Sequence, residues 1–194
     1  MQWPCSDISV IILAGGCSSR MGQDKALLMR EGKTQLQHCV ELVQHMGFRE
    51  VKVSGQYQGV SCLPDLHPNT GPLAGIESAF KYAAAANGAL LIFPVDMPLL
   101  SKAEILALVE GSDQHGAYYS DALFPLLLPL NQALEDCLGE MFNQDDPKKR
   151  SLYQLLKRVN CKKITPNPQQ RERLGNANTP TQWRQLTQSS EPFT

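Results

Sequence analysis

The segment Leu13-Ala14-Gly15-Gly16-Cys17-Ser18-Ser19-Arg20-Met21-Gly22-Gln23-Asp24-Lys25 concentrates the residue types that bind phosphate. Paired glycines remove the Cβ atoms that would hold phosphate oxygens away, so backbone N–H groups can approach them directly. Arg20 and Lys25 add two fixed positive charges to the same loop. The spacing excludes the two commonest phosphate motifs. Five residues separate Gly16 from Gly22 where a P-loop has four, and Gln23 stands where that motif needs lysine. Gly-x-Gly-x-x-Gly is absent as well, which removes the dinucleotide fingerprint. A plain strand-to-helix turn with surface charges would explain the glycines, but not the serines and two cations beside them.

A carboxylate completes the chemistry. Asp96 directly follows the apolar run Ala89 to Val95, and in open α/β sheets ligands bind at the carboxyl ends of the strands. One carboxylate plus phosphate oxygens is what Mg²⁺ prefers. The alternative is a turn residue ahead of Pro98. Asp65, beside Pro64, is a second acidic candidate with the same alternative. Gly71-Pro72-Leu73-Ala74-Gly75 opens an alanine-rich helix. Its glycines either let a ligand approach the helix start or allow close helix packing. The remaining polar residues carry less. His38, His45, His67 and His115 lack zinc-ligand spacing, and Cys17 has no partner base. Trp3, Trp183 and the tyrosines read as packing residues. Lys148-Lys149-Arg150 is a solvated basic loop unless it meets an anionic phosphate.

The elements that must position these groups follow from periodicity. Ile8 to Ala14 is a β-branched run that reads as a buried parallel strand. Thr34 to Met46 has helical spacing of apolar residues, with Thr34 as N-cap. Glu50 to Ser54 and Cys62-Leu63 read as short strands, Leu73 to Ala86 as a helix, and Ala89 to Val95 as a second buried strand. Ser101 caps a helix to about Glu110, with Glu104 completing a capping box. Farther on, the reading is Ala122 to Phe124 as strand, Leu130 to Leu138 as helix, and Met141 to Arg150 as polar loop. Ser151 to Val159 reads as helix, Lys162 to Thr165 as strand, and Thr179 to Leu186 as a closing helix starting at Pro180. Alternating strands and helices predict an α/β fold with a mostly parallel sheet.

A chain of 194 residues fits one domain, and folding buries roughly 70% of its unfolded surface, so one core suffices without staples. A net charge of −1 argues against a nucleic-acid binder driven by bulk electrostatics. The stretch before Gly15 is too short for a signal peptide or a membrane span. Six scattered cysteines without a Cys-x-x-Cys pair suggest a soluble, reducing compartment, hence the cytoplasm.

With these residues in place, the chain resembles the molybdenum cofactor guanylyltransferase family, within the Rossmann-like nucleotidyltransferases. The resemblance rests on Leu-Ala-Gly-Gly at 13–16, Ser19-Arg20-Met21-Gly22, Asp24-Lys25, Gly71-Pro72-Leu73-Ala74-Gly75, Pro94-Val95-Asp96-Met97-Pro98 and Asn176-Ala177-Asn178-Thr179-Pro180. These blocks span nearly the whole chain in family order. The resemblance implies a three-layer α/β/α fold over residues 1–194, with nucleotide binding in about 8–110 and acceptor binding in about 111–188. GTP would lie against Leu13, Ala14, Gly15, Gly16, Ser54, Asp65 and Gly71. Lys25 would be on its phosphates and Asp96 would hold Mg²⁺, with Arg20, Lys25 and Asp96 as the catalytic set. Ser54 replaces an asparagine that relatives often carry near the guanine. Gly75, Arg150, Asn176 and Asn178 match the acceptor side. The segment between Leu108 and Ala122 is shorter than the family pattern, so hairpin residues near 116–121 are either trimmed or joined by a tighter loop.

The implied reaction transfers GMP from GTP to the terminal phosphate of molybdopterin and releases pyrophosphate. Its partners would be GTP and molybdopterin, with no nucleic acid and no membrane, and transient contact with cofactor-synthesis or acceptor proteins is compatible with that role. Two other readings stay open: a cytidylyl- or sugar-nucleotidyltransferase of the same fold, and a non-catalytic module that holds a guanine nucleotide or the cofactor.

Overall fold

The computed structural model describes residues 3–14, 22–64, 71–83, 88–143 and 150–188; the expected site residues Gly15, Gly16, Arg20 and Asp65 lie outside them. The first strand, β1 (Ile8–Leu13), is buried along its whole length, as its apolar run, interrupted only by Ser9, requires. A two-residue ribbon, β2 (Met29–Arg30) and β3 (Lys33–Thr34), leads into α1 (Gln35–Gln44). Thr34 caps α1 through a capping box with Gln37. Then come β4 (Glu50–Ser54), β5 (Cys62–Leu63), α2 (Pro72–Ala83) and β6 (Ala89–Pro94). Ser101 and Glu104 form the expected capping box at α3 (Lys102–Gly111).

The second half departs further from the sequence reading. A tight hairpin joins β7 (Ala117–Tyr119) to β8 (Ala122–Pro129), with Tyr119 paired to Ala122. The hairpin is therefore present with a short turn, and β8 runs eight residues instead of three. α4 (Gln132–Phe142) starts at an Asn131 cap and continues into residues read as loop. α5 (Leu152–Arg158), β9 (Lys162–Ile164), α6 (Pro168–Arg173) and α7 (Pro180–Gln188) complete the order. The helix α6 was not expected.

The main sheet has the order β5-β4-β1-β6-β8-β7-β9. β5, β4, β1 and β6 are parallel, β8 is antiparallel to both neighbours, and β7 and β9 are parallel to each other. Side chains along β1 alternate between the two faces. Ile8, Val10 and Ile12 pack with Leu36 and Val43 of α1 and Ile105 and Leu108 of α3. Ile11 and Leu13 pack with Ile76 and Phe80 of α2, Leu138 of α4 and Leu155 of α5. The result is the three-layer α/β/α arrangement that the apolar β1 and β6 demand. Among the described residues no helix is long and apolar enough to cross a membrane.

At the start of the hairpin, Gly116 has φ +81°, and a Cβ there would lie 2.0 Å from the carbonyl oxygen of Leu127. Both the backbone conformation and the contact exclude a side chain. Gly116→Ala is expected to cost roughly 1–3 kcal/mol of stability, seen as a lower urea midpoint with an unchanged m-value.

Candidate active site

The site begins where three strands end together. Leu13 pairs with Ser54 on one side and Pro94 on the other. The ladder extends one step past the strands, with Ala14 N–H donating to Ser54 O (3.2 Å) and Val95 N–H to Leu13 O (3.0 Å). The chain leaves β1 toward β4 on one side, and α2 carries it back to β6 on the other. The crevice at β1 is thus the topological switch point, where open α/β sheets bind ligands.

Lys25 stands on a short turn, Lys25–Leu27, capped by Asp24. Asp24 Oδ1 accepts from Ala26 N–H at 2.9 Å. Ala26 and Leu28 are buried, and Leu28 packs with Ala177 and Trp183, so the turn is anchored to the core and the lysine stem points to the crevice. Its ammonium donates to Asp96 Oδ2 at 2.9 Å and to Asn178 Oδ1 at 2.7 Å. The side chains of Lys25 and Asp96 are 17% and 16% exposed, which shields the pair from solvent screening. Ala177 N–H donates to the Asp96 carbonyl at 2.7 Å. Three segments expected at the site, around 25, 96 and 178, therefore meet at one ammonium.

The other carboxylate oxygen, Asp96 Oδ1, is buried and has no hydrogen-bond partner among the described residues. A buried, ionised oxygen without a partner is costly, and a divalent cation would satisfy it. Among the described residues there is no group of three or more His, Cys, Asp or Glu able to hold a metal. That is consistent with a Mg²⁺ bound by one carboxylate together with phosphate oxygens and water, which needs no protein cage.

The remaining expected residues divide between roles. Gly71 has φ +83°, and a Cβ there would meet no atom of the described residues within 4 Å, so the turn into α2 is what calls for glycine. Gly75 is buried, and a Cβ there would come within 2.6 Å of Leu13 Cδ2 and 3.5 Å of Ser54 Oγ. Its small size lets α2 press onto the strand ends, which is the packing alternative of the sequence reading. Ser54 is half-buried at that contact. On the far side lies a cleft of about 570 Å³, lined by Pro72, Leu123, Phe124, Leu152, Arg171 and Asn176, among others. Asn176 faces this cleft and Asn178 faces Lys25, on either side of the fully buried Ala177. Arg150 lies two residues before Leu152, its guanidinium 5.9 Å from the Phe142 ring centre.

Three site-supporting residues escaped the sequence reading. Gln35, 1% exposed, donates from Nε2 to Val95 O at 3.0 Å and so buttresses the turn that presents Asp96. Its clue was an amide on the apolar face of α1, beside Leu36, Cys39 and Val43. Arg30 donates to Pro98 O at 2.5 Å on the same turn. Tyr57, read as a packing residue, brings its hydroxyl 3.0 Å from Ala14 O and 2.9 Å from Asp24 Oδ2. Burial and the Asp24 carboxylate push its phenol pKa well above the usual tyrosine value.

Comparison with known proteins places this architecture. The family described as MobA-like NTP transferase domain matches residues 10–160. A molybdenum cofactor guanylyltransferase from Xanthomonas euvesicatoria is 37% identical over 176 residues, covering 91% of this chain and 92% of that one. Among solved structures, molybdopterin-guanine dinucleotide biosynthesis protein A from Archaeoglobus fulgidus superposes with a TM-score of 0.73 at 20% identity, covering 93% and 97% of the two chains. A 2-C-methyl-D-erythritol 4-phosphate cytidylyltransferase from Francisella tularensis gives 0.68 at 14% identity, covering 94% and 98%. These two structural likenesses show a shared fold, and that fold serves more than one nucleotide.

Cys39 lies behind Asp96, and burial pushes its thiol pKa up to about 12, against the opposing influence of Arg30. A thiol raised that far stays protonated, and so unreactive, through neutral and mildly alkaline pH. Alkylation of the native protein at pH 8 should leave Cys39 unmodified by mass spectrometry, with labelling only after denaturation.

Proposed function

We propose that this chain, which belongs to the MobA-like NTP transferase family, is a Mg²⁺-dependent guanylyltransferase. It moves GMP from GTP to the terminal phosphate of molybdopterin. The observation that carries this reading is the convergence of Lys25, Asp96 and Asn178 at the carboxyl ends of β1 and β6, with Asn176, two residues before Asn178, lining a cleft. The name of the Xanthomonas relative supports the choice of nucleotide and acceptor.

In the reaction a terminal phosphate oxygen of the acceptor attacks the α-phosphorus of GTP. The new P–O bond forms as the bond from the α-phosphorus to the β-phosphate bridging oxygen breaks, and pyrophosphate leaves with that electron pair. The attacking phosphate is already ionised at neutral pH, so no general base is needed, and catalysis is positioning and charge neutralisation. Lys25, carried on its capped turn, binds nucleotide phosphate oxygens, and Arg20 is assigned the same task. Asp96 would hold Mg²⁺ through Oδ1, which has no partner among the described residues, and a bound ion would supply positive charge to the α-phosphate and the leaving pyrophosphate. Asn178 steadies the Lys25 ammonium through its amide oxygen. Leu13, Ala14, Gly15, Gly16, Ser54, Asp65 and Gly71 belong to the nucleotide side and Arg150 and Asn176 to the acceptor side, while Gly75, first matched to the acceptor side, acts by letting α2 pack on Leu13 and Ser54. The cleft beside Asn176 is large enough for a small ligand.

Lys25→Ala and Asp96→Ala should each lower turnover by on the order of 10²–10³, measured as pyrophosphate release with GTP, Mg²⁺ and molybdopterin. Rates near that of the unsubstituted chain in both variants would remove this mechanism. The fold also serves cytidylyl transfer, so base choice has its own test. With Mg²⁺ present, GTP should raise the melting temperature and CTP should not, and the reverse result would favour the cytidylyltransferase reading.

A further inference from the structure

We propose that Tyr57 is a positioning residue for nucleotide binding, because its hydroxyl clasps the two chain segments that flank the glycine-rich loop and thereby sets where Lys25 stands. This inference rests on the assignment of Lys25 to the nucleotide phosphates. Ala14 precedes that loop and Asp24 follows it. The Tyr57 hydroxyl oxygen lies 3.0 Å from Ala14 O and 2.9 Å from Asp24 Oδ2, so one side chain reaches both ends. Each of those atoms can only accept, and the phenol supplies the one proton between them. The bond to the Asp24 carboxylate is the stronger of the two. Asp24 uses its other oxygen to cap the Lys25 turn through Ala26 N–H. A displacement of Asp24 is therefore passed directly to the residue that follows it, Lys25.

Tyr57 is itself held in place. Its N–H donates to Cys62 Sγ, and the Cys62 thiol faces Tyr57 O, both at 3.3 Å. Its ring packs on the core cluster that contains Val53. It stands three residues beyond Ser54, so the clasp links the base side of the crevice to the phosphate side. Burial and Asp24 keep the phenol protonated, so it remains a donor throughout the neutral range.

The test compares Tyr57→Phe, Asp24→Asn and the double variant. Tyr57→Phe keeps the ring and removes the hydroxyl. Asp24→Asn keeps an amide oxygen for the cap and removes the charge. Calorimetric Kd for GTP with Mg²⁺, KM for GTP, KM for molybdopterin and melting temperature are measured for each. Loss of a hydrogen bond to a charged group should weaken GTP binding about tenfold, in both Kd and KM. The KM for molybdopterin should hold, and the double variant should be no worse than the poorer single variant. GTP affinity within twofold of the parent for Tyr57→Phe overturns the inference, as do losses that multiply in the double variant. A lower melting temperature with unchanged KM would assign Tyr57 to packing alone and overturns it too. If CTP proves to be the bound nucleotide, the same measurements are read with CTP, so the guanine assignment can fail while the clasp stands. A chain that binds neither nucleotide overturns both.

Discussion

One ammonium organises the ligand edge of this molecule. Lys25 Nζ meets Asp96 and Asn178, residues 71 and 153 positions away along the chain, within a crevice only partly open to water. Removing the ammonium would leave a carboxylate with one oxygen already unpartnered and the other newly so, and an uncompensated charge in such a place is far more costly than the pair is stabilising. The interaction therefore constrains its surroundings more than it strengthens the fold. Its geometry survives only if the ends of β1 and β6, the turn at Lys25 and the segment at Ala177 keep their relative places. The hydrogen bond from Ala177 to the Asp96 carbonyl and the Leu28–Ala177–Trp183 cluster fix two of those relations without using a charged group.

The sheet explains why the chemistry gathers at one edge. β1 and β6 are buried on both faces, so apart from Ser9, which is hydrogen-bonded to Glu50, their side chains are apolar and the polar groups gather where the strands stop. Leu13 and Pro94 stop in register, which brings Ala14 and Val95 level and Asp96 one residue beyond. Gln35 and Arg30 then brace the 95–98 turn from the α1 side. A buried amide and a guanidinium committed to backbone carbonyls hold the carboxylate without competing for it.

The antiparallel β8 gives the second cleft its position. Because it runs against β6, its first residues, Ala122 to Phe124, lie at the same edge where β6 ends. The tight hairpin, with Tyr119 paired to Ala122, delivers them there. Arg171 pairs with Asp121 and Arg173 with the buried Glu104, so α6 is held to the hairpin and to α3. The chain leaving α6 then carries Asn176 to the cleft and Asn178 to Lys25.

Local energetics were legible in the amino-acid order. Predominantly apolar runs bounded by glycine or aspartate identified β1 and β6, and capping residues located the starts of α1 and α3, because each signal is complete within a few residues. Shorter or mixed signals failed. Prolines at 125 and 129 interrupt the apolar run that became β8, and α6, Pro-Gln-Gln-Arg-Glu-Arg, has no apolar face to betray it. The motif blocks identified Lys25, Asp96, Asn176 and Asn178 as residues of interest, but not that an ammonium would bridge two of the others. Nor could side-chain type separate Tyr57 from a packing tyrosine, since its partners Ala14 and Asp24 are 43 and 33 residues away. The sequence alone determined β1 and β6, the caps of α1 and α3, and the set of chemical groups. Which of those groups touch was decided only by the tertiary structure, because contacts across such separations depend on sheet order and register, which no local pattern encodes.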